Sequence, residues 1–139
     1  MEPTINDGQW VLMERKYSLG VQWSPNKYDV VAVRHDDGDL LVKRVIGVPG
    51  DTVRVESGYI FINNKKEPDG KRGSGRICFH LVDPDTDIAW RTVYQDSNSE
   101  VIPAGVMWVI GDDRAISHFG THPLDKIEGK VIAWGTNTH

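Results

Sequence analysis

Short hydrophobic runs, each closed by turn-forming residues, set the pattern of this chain. The runs are rich in Val, Ile, Trp or Tyr and are bounded by Gly, Pro, Asn or Asp, which is typical of short β-strands. The predicted strands are Gln9–Glu14, Asp29–Arg34, Leu40–Gly47, Thr52–Glu56, Tyr59–Asn63, Ile77–Val82, Ala89–Tyr94, Val106–Ile110 and Lys130–Trp134. A helical turn is expected at Pro123–Ile127, where Pro suits the first position. The pattern predicts a mainly β fold, with antiparallel β-sheets that form a compact β-barrel-like body.

One stretch of the chain differs from this pattern. Residues 63–76, with the sequence NNKKEPDGKRGSGR, are polar and rich in glycine, and a second polar stretch, QDSNSE, begins at Gln95. We therefore expect residues 64–100 to be an inserted subdomain with a β extension, within a single domain that spans residues 1–139. Lys65–Gly75 is expected to be the most mobile internal segment, because it has few apolar anchors.

Composition narrows the classes of function. The net charge of −4 argues against a protein that binds the phosphate backbone of nucleic acids. Cys78 is the only cysteine, which excludes an intrachain disulfide and a multi-cysteine metal site, and no cofactor is expected. No apolar run approaches the length of a membrane span, and no signal peptide is visible near Met1, so the chain as given is expected to be soluble.

The sequence LLVKRVIGVPGD, residues 40–51, places two adjacent cations inside an otherwise apolar strand. Side chains alternate between the two faces of a strand, so one of the two cations lies among apolar neighbours whichever face is buried. One interpretation is that Lys43 and Arg44 reach the rim of the sheet or pair with a carboxylate. The other is that apolar surroundings lower the pKa of Lys43 to about 7–8, which would let its amine act as a general base toward a serine hydroxyl.

Four short motifs occur in order along the chain and carry a resemblance to a known family. They are MEPT at 1–4, YDVVAV at 28–33, KRVIGVPGD at 43–51, and GDDR at 111–114 followed by Ser117. Together they resemble the type I signal peptidases, the membrane-anchored serine-lysine endopeptidases that remove signal peptides. The third motif is the most specific, since it matches the family pattern Lys-Arg-x-[Ile/Val]-Gly-x-Pro-Gly-Asp nearly letter for letter.

The resemblance implies a role for several residues. Lys43 would be the general base, and Ser117 would form a hydrogen bond with it that helps to orient it. The structural frame around the base would consist of Arg44, Gly50, Asp51, Gly111 and Asp112. The residues that border the substrate cleft would be Met1, Pro3, Leu41 and Val42. The implied partners are the signal peptides of exported preproteins, and the implied location is the outer side of the cell membrane, with attachment through a segment that is not in this chain.

The chain departs from the family pattern in two places. The family's nucleophile is the serine directly before the Met of the first motif, and here that Met is Met1. We therefore expect this 139-residue form to be inactive, and truncation explains the missing serine better than a natural start at Met1 does. In the last motif, the family's Asp-Ser-Arg element is absent after Ser117, where His118, Phe119 and Gly120 follow, so the ion pair of that element is expected to be missing.

Three functions stay open from the sequence. The leading hypothesis is a serine endopeptidase that binds an extended peptide by strand addition and cleaves it with a serine-lysine dyad. The second is a non-catalytic relative that binds signal-peptide-like segments, which the missing serine permits. The third is a β-barrel interaction module in which the pair formed by Lys43 and Arg44 is structural.

Several other polar residues have simpler interpretations. His118 and His122 are interpreted as solvated loop histidines rather than metal ligands, since no third ligand follows at a recognisable spacing. The sequence HDDGD at 35–39 indicates a hairpin turn rather than a calcium loop. Asp112 and Asp113 indicate a turn that ends a strand and contains a local ion pair.

The tryptophans are expected to differ in burial. Trp10, Trp108 and Trp134 lie in β runs, so we expect them in the core. Trp23 lies in the irregular sequence SLGVQWSPN, together with Val21. These two residues are expected either to face lipid, as apolar residues near the cleft do in the family, or to belong to an ordinary loop.

Overall fold

β-Strands make up most of the structure, as the sequence pattern predicts. This is a computed structural model that describes residues 1, 4–6, 8–20, 23–67, 76–86, 89–114 and 119–136. The strands are β1 (Trp10–Arg15), β2 (Val30–Arg34), β3 (Leu40–Gly47), β4 (Thr52–Glu56), β5 (Tyr59–Ile62), β6 (Lys65–Lys66), β7 (Cys78–Val82), β8 (Ala89–Tyr94), β9 (Glu100–Val101), β10 (Val106–Ile110), β11 (Phe119–Pro123) and β12 (Ile127–Gly135). A short helix, α1 (Lys16–Leu19), follows β1, and a 3-10 helix (Leu124–Lys126) occupies the segment predicted to form a helical turn. No helix among these residues is long and apolar enough to span a membrane.

The strands form antiparallel sheets. The largest sheet has the order β1-β12-β2-β3-β10-β11, a second has the order β6-β5-β4-β9, and β7 pairs with β8. The prediction of a mainly antiparallel β fold is confirmed. Within the described residues, β1 and β11 are the two edges of the largest sheet and do not pair with each other, so the predicted barrel-like body is not a closed barrel.

Strand bounds agree with the prediction where the local sequence itself favours β structure. The bounds of β3, β4, β8 and β10 are those predicted. The sequence did not indicate β6, β9 or β11, because each is either very short or interrupted by residues that disfavour strands, such as Gly120 and Pro123 in β11. β12 extends beyond its predicted range at both ends. The segment at 35–39 forms the predicted hairpin turn, in which the His35 N–H donates to the Asp39 carbonyl at 2.8 Å.

Two of the three tryptophans expected in the core are exposed instead. Trp108 is buried on β10, but Trp10 and Trp134 keep 44% and 39% of their surface exposed. The prediction was wrong for these two because they lie on β1, an edge strand, and on its neighbour β12. Trp23 packs against a buried cluster, which supports its interpretation as a loop residue. Val21 lies outside the described residues.

β3 contributes to each of three buried clusters, because its side chains alternate between two faces. The first cluster consists of Ile46, Val53, Val55, Ile60, Ile62, Ile77, Ile102, Trp108 and Ile110. The second cluster consists of Val31, Val33, Val45, Met107, Val109 and Ile127. The third cluster consists of Ile5, Val30 and Val131, and Met1 and Val42 pack against it. This strand therefore connects the core of the largest sheet with the N-terminal segment.

The turn that ends β3 is held by the carboxylate of Asp51. One oxygen accepts from the Val48 N–H at 3.0 Å, and the other accepts from Asn63 Nδ2 and lies beside Lys27 Nζ, each at 3.0 Å. Burial by itself would raise the pKa of Asp51, but these contacts outweigh it and hold the pKa below its ordinary value. The turn thus joins β3 firmly to the four-stranded sheet.

Residues 64–100 contribute to two different sheets. β6 and β9 belong to the four-stranded sheet, whereas β7 and β8 pair with each other. The base of this hairpin is tied to the turn between β4 and β5, where the Ile77 N–H donates to the Gly58 carbonyl at 2.9 Å and the Gly58 N–H donates to the Gln95 carbonyl at 2.8 Å. Residues 68–75, most of the segment predicted to be mobile, lie outside the described residues.

Gly47, the last residue of β3, has no room for a side chain. A Cβ added there would overlap Cδ1 of Ile102 and lie 2.9 Å from Cγ2 of Val53, and both residues belong to the first cluster. We expect Gly47→Ala to lower the free energy of unfolding by about 1–3 kcal/mol, because overpacking forces the neighbouring side chains to shift. Denaturant unfolding followed by tryptophan fluorescence measures the change.

Ile102→Val provides the control for this prediction, since it removes the Cδ1 atom that the new Cβ would overlap. Alone, this substitution should cost about 0.5–1.5 kcal/mol. The double variant should lose less stability than the sum of the two single variants, because the smaller side chain relieves the overlap. Strict additivity of the two losses would contradict the prediction.

Candidate active site

Lys43 lies in the middle of β3 with its side chain half-buried. Its partner on β2 is Val31, and the side chains of directly paired residues share one face of a sheet. Val45, two residues further along β3, lies on the same face. Because Val31 and Val45 both belong to the second cluster, the side chain of Lys43 leaves the strand beside apolar residues. This burial lowers the pKa of Lys43 below the ordinary value of 10.5.

The N-terminal residue is held in a turn against the largest sheet. The Ile5 N–H donates to the Met1 carbonyl at 3.0 Å, and Ile5 is buried in the third cluster. The side chain of Met1 packs against this cluster, and so does Val42 of β3. The segment that begins at Met1 therefore lies next to the residue that precedes Lys43.

Arg44 and Asp112 form a bidentate ion pair in the interior. Nε of Arg44 donates to Oδ1 of Asp112 at 2.7 Å and Nη2 donates to Oδ2 at 2.8 Å, while Asp112 has no exposed surface. The hydroxyl of Thr4 also donates to Oδ2. Burial by itself would raise the pKa of Asp112, but the hydrogen bonds from Arg44 and Thr4 and the charges of Arg44 and Arg114 hold it below its ordinary value. Thr4 is thereby connected to β3 through Asp112.

Arg114 and Glu67 extend this ion pair into a buried network. Nη2 of Arg114 donates to Oε1 of Glu67 at 2.8 Å, and Nη1 donates to the Gly111 carbonyl at 2.5 Å and lies 3.9 Å from Oδ1 of Asp112. The side chains of Arg114 and Glu67 are only 4% and 13% exposed. Burial raises the pKa of Glu67, although the charge of Arg114 opposes the rise.

The sequence motifs of the predicted site do not include Glu67. Glu67 lies in a polar stretch that resembles a loop, 47 residues away from Arg114 in the chain, and no local pattern marks it as an ion-pair partner. The ion pair predicted near Asp112 is present, but its closest partner is Arg44 of β3 rather than a residue of the same turn. Ion pairs therefore surround this turn although the Asp-Ser-Arg element is absent from the sequence.

The remaining described residues of the predicted site lie at the two ends of β3. Leu41 pairs with Val33 of β2 and is half-buried. Gly50 follows the other end of β3 with φ at +94°, which suits glycine, and its N–H donates to the Ile102 carbonyl at 2.8 Å. Leu41 thus lies near one end of the strand that carries Lys43, and Gly50 follows the other end.

Three residues considered for the catalytic site or as metal ligands lie outside the described residues: Pro3, Ser117 and His118. The prediction that the amine of Lys43 lies close to Ser117 and within a few ångströms of Met1 stays a prediction. The structure does bring Met1, Thr4, Val42, Arg44 and Asp112 together around the backbone of Lys43.

His122 projects from the same face of the largest sheet as Lys43. It pairs with Met107 of β10, a member of the second cluster, and its ring centroid lies 6.4 Å from that of His35. Burial lowers the pKa of His122, and His35 and Lys43 lower it further. His122 is therefore a half-buried strand residue near Lys43 and not the solvated loop histidine that was predicted. Within the described parts of the chain, no three His, Cys, Asp or Glu side chains are placed to hold a metal ion.

The fold has a counterpart among solved structures. The crystal structure of a signal peptidase I from Enterococcus faecalis V583 matches this one with a TM-score of 0.53. The match covers 80% of this chain and 98% of that chain, at 23% sequence identity. At this level of identity the likeness concerns the fold alone.

Relatives are also found by sequence. Signal peptidase IB of Staphylococcus aureus is 32% identical over 142 residues, which cover 94% of this chain and 70% of that protein. Signal peptidase I of Streptococcus pneumoniae serotype 4 is 27% identical over 159 residues, which cover 94% of this chain and 75% of that protein. The family model described as signal peptidase, peptidase S26, matches residues 1–134. The chain therefore belongs to the signal peptidase family, peptidase S26.

Proposed function

We propose that this chain is the catalytic domain of a signal peptidase I that cleaves signal peptides from exported proteins, with Lys43 as the general base for a serine hydroxyl. Membership in the peptidase S26 family supports the class of reaction. The observation that carries the proposal is the position of Lys43. This lysine is half-buried against the second cluster, and both of its neighbours in β3 hold the N-terminal segment.

The neighbours of Lys43 hold this segment at two points. Val42 and Met1 pack against the same cluster, and Arg44 is connected to Thr4 through Asp112. A serine joined directly to Met1 would enter the fold beside β3. The side chains of Val42 and Arg44 lie on the face of β3 opposite to that of Lys43. The backbone before Met1 therefore has to bring the serine hydroxyl round to the Lys43 face.

The amine of Lys43 would accept and return a proton in both halves of the reaction. In the first half, the serine oxygen attacks the carbonyl carbon of the scissile bond while its proton moves to the lysine nitrogen, and backbone N–H groups stabilise the oxyanion. The lysine then returns the proton to the leaving amine, and an ester to the serine remains. In the second half, water attacks the ester and gives its proton to Lys43, which passes it to the serine oxygen as the acid product leaves.

The proposed substrate cleft runs along the first half of β3. In the described register, β10 pairs with Arg44–Gly47, so residues Leu40–Lys43 extend past the end of β10. An extended peptide can add to such an overhang by backbone hydrogen bonds. Leu41 and Val42 would then border the peptide on one side, and Met1 and Pro3 would border it on the other.

The proposal also assigns a location and partners. The substrates would be the signal peptides of exported preproteins, and the domain would act on the extracytoplasmic side of the cell membrane, to which the full protein is attached. Neither a nucleic acid nor a cofactor takes part in the proposed reaction.

Adding the serine and removing the lysine tests the proposed dyad. A form with serine joined directly before Met1 should cleave a signal-peptide substrate in detergent micelles, whereas a form with alanine there, and the 139-residue chain itself, should not. In the serine form, Lys43→Ala should lower kcat by about 10²–10⁴-fold, because it removes the general base. Lys43→Arg should restore little activity, since a guanidinium stays protonated.

Lys126→Ala is the matched control, because Lys126 is an exposed lysine of the 3-10 helix. Cleavage by the Lys43→Ala form at the rate of the Lys126→Ala form would rule out Lys43 as the base. If the serine form binds the peptide and does not cleave it, the non-catalytic alternative is favoured instead.

The pH profile gives an independent test of Lys43. The base must be neutral to accept a proton, so kcat/KM should rise with pH as the amine deprotonates. Because burial lowers the pKa of Lys43, the midpoint of this rise should lie below 10.5. Kinetics from pH 6 upward measure the midpoint, and NMR titration of an isotope-labelled lysine nitrogen checks it. A midpoint at the ordinary lysine value, or a fall in activity over this range, would contradict the assignment.

Thr4→Val tests the anchor of the N-terminal segment, because it keeps the shape of the side chain and removes the hydroxyl that donates to Asp112. We expect the free energy of unfolding to fall by about 1.5–3 kcal/mol, as for other hydrogen bonds to charged groups. In the serine form, kcat should fall as well. Chemical denaturation and steady-state kinetics measure the two effects. Thr4→Ser retains the hydroxyl and should recover most of both losses; a serine variant no better than valine would show that the hydroxyl does not anchor the segment.

A further inference from the structure

Glu67 lies outside the motifs that carry the family resemblance, yet it is part of the buried network next to the candidate site. We propose that Glu67 is a positioning residue: by holding Arg114, it keeps Asp112 available to Arg44 and Thr4, and so fixes the N-terminal segment against β3. The kinetic part of this inference rests on the function proposed above, and the structural part does not.

Glu67 is fixed by the four-stranded sheet. Its N–H donates to the Ile60 carbonyl at 2.8 Å, which continues the pairing of β5 with β6. Arg114, in contrast, follows β10 of the largest sheet. The 2.8 Å ion pair between the two side chains therefore joins two sheets at the turn that contains Asp112.

Asp112 lies between two guanidinium groups. Arg44 occupies both carboxylate oxygens at 2.7 and 2.8 Å, whereas the nearest nitrogen of Arg114 lies 3.9 Å from Oδ1. Glu67 draws Arg114 toward its own carboxylate and away from Asp112. Without the charge of Glu67, the attraction between Arg114 and Asp112 is no longer balanced, and burial keeps it from being screened. Arg114 should then move toward Asp112 and compete with Arg44 and Thr4 for the Asp112 carboxylate.

Within the described residues, the network pairs two guanidinium groups with two carboxyl groups. Replacing Glu67 with a neutral residue of the same shape removes the negative charge that lies 2.8 Å from Nη2 of Arg114. A buried ion that loses its partner is strongly disfavoured, so its surroundings rearrange to supply another one. Among the described residues, the carboxylate of Asp112 is in position to do so, since it already lies 3.9 Å from Nη1 of Arg114.

The structural test uses Glu67→Gln, which keeps the shape of the side chain and removes its charge. The Ile5 N–H, bonded to the Met1 carbonyl, reports whether the N-terminal segment is docked. Hydrogen exchange of this amide, followed by NMR, should be about 10-fold faster in Glu67→Gln, while the amide of Val31 in the core keeps its rate. Glu56→Gln is the matched control, because Glu56 forms an exposed ion pair with Arg54.

A double variant tests whether Glu67 acts through Arg114. If it does, adding Glu67→Gln to Arg114→Gln should change the Ile5 exchange rate by less than about twofold, since the competing cation is already gone. An unchanged Ile5 rate in Glu67→Gln, or an equal acceleration in the Arg114→Gln background, would overturn the inference. If Arg114→Gln does not fold, the Ile5 exchange rates of Glu67→Gln and Glu56→Gln still test whether Glu67 helps to dock the N-terminal segment.

The kinetic test uses the form with serine before Met1. Glu67→Gln should lower kcat by roughly 10- to 100-fold, because a misplacement of about 1 Å can cost that much, while KM stays within about twofold. Normal kcat in Glu67→Gln would overturn the positioning role. If the serine form does not cleave at all while the Ile5 amide responds to Glu67→Gln, the proposed function fails and the role of Glu67 in docking the segment stands.

Discussion

The buried contact between Arg44 and Asp112 is the constraint on which the arrangement of the site depends. A carboxylate with no exposed surface can stay ionised only if hydrogen-bond donors and cations replace the water it has lost. Removing one partner from such a pair costs about 3–5 kcal/mol. Nη1 of Arg44 also donates a hydrogen bond to the Tyr28 carbonyl at 2.8 Å. The φ angle of Tyr28 is +73°, an unfavourable value for a residue with a side chain. One of the groups that hold this guanidinium thus belongs to a residue with an uncommon backbone conformation.

The two adjacent cations of β3 are placed in opposite environments. Arg44 stays charged in the interior because Asp112 neutralises it, whereas Lys43 on the other face borders the apolar second cluster, which favours the neutral amine. Adjacent residues share a peptide unit, so holding the Arg44 guanidinium also sets the direction in which Lys43 leaves the strand. A single ion pair can in this way orient a side chain that it does not touch.

The sequence predicted those parts of the fold and the site that depend on local pattern. β3 and β10 were predicted to the residue, because their own residues favour strands. β11 was missed, because it contains Gly120 and Pro123 and forms through its pairing with β10. The half-buried environment of Lys43 followed from its apolar neighbours, but the ion pair of Glu67 with Arg114 depends on how two sheets meet. No local pattern encodes a contact of that kind.

The β7–β8 hairpin is attached to the rest of the described structure at its base, and in the described residues its strands pair with each other alone. The attachment needs a glycine, since a Cβ at Gly58 would lie 2.7 Å from the Ile77 carbonyl oxygen. Residues beyond this base can therefore be gained or lost in evolution without any displacement of β3. A change of length beyond this base can add a new surface to the domain while Lys43 keeps its place in β3.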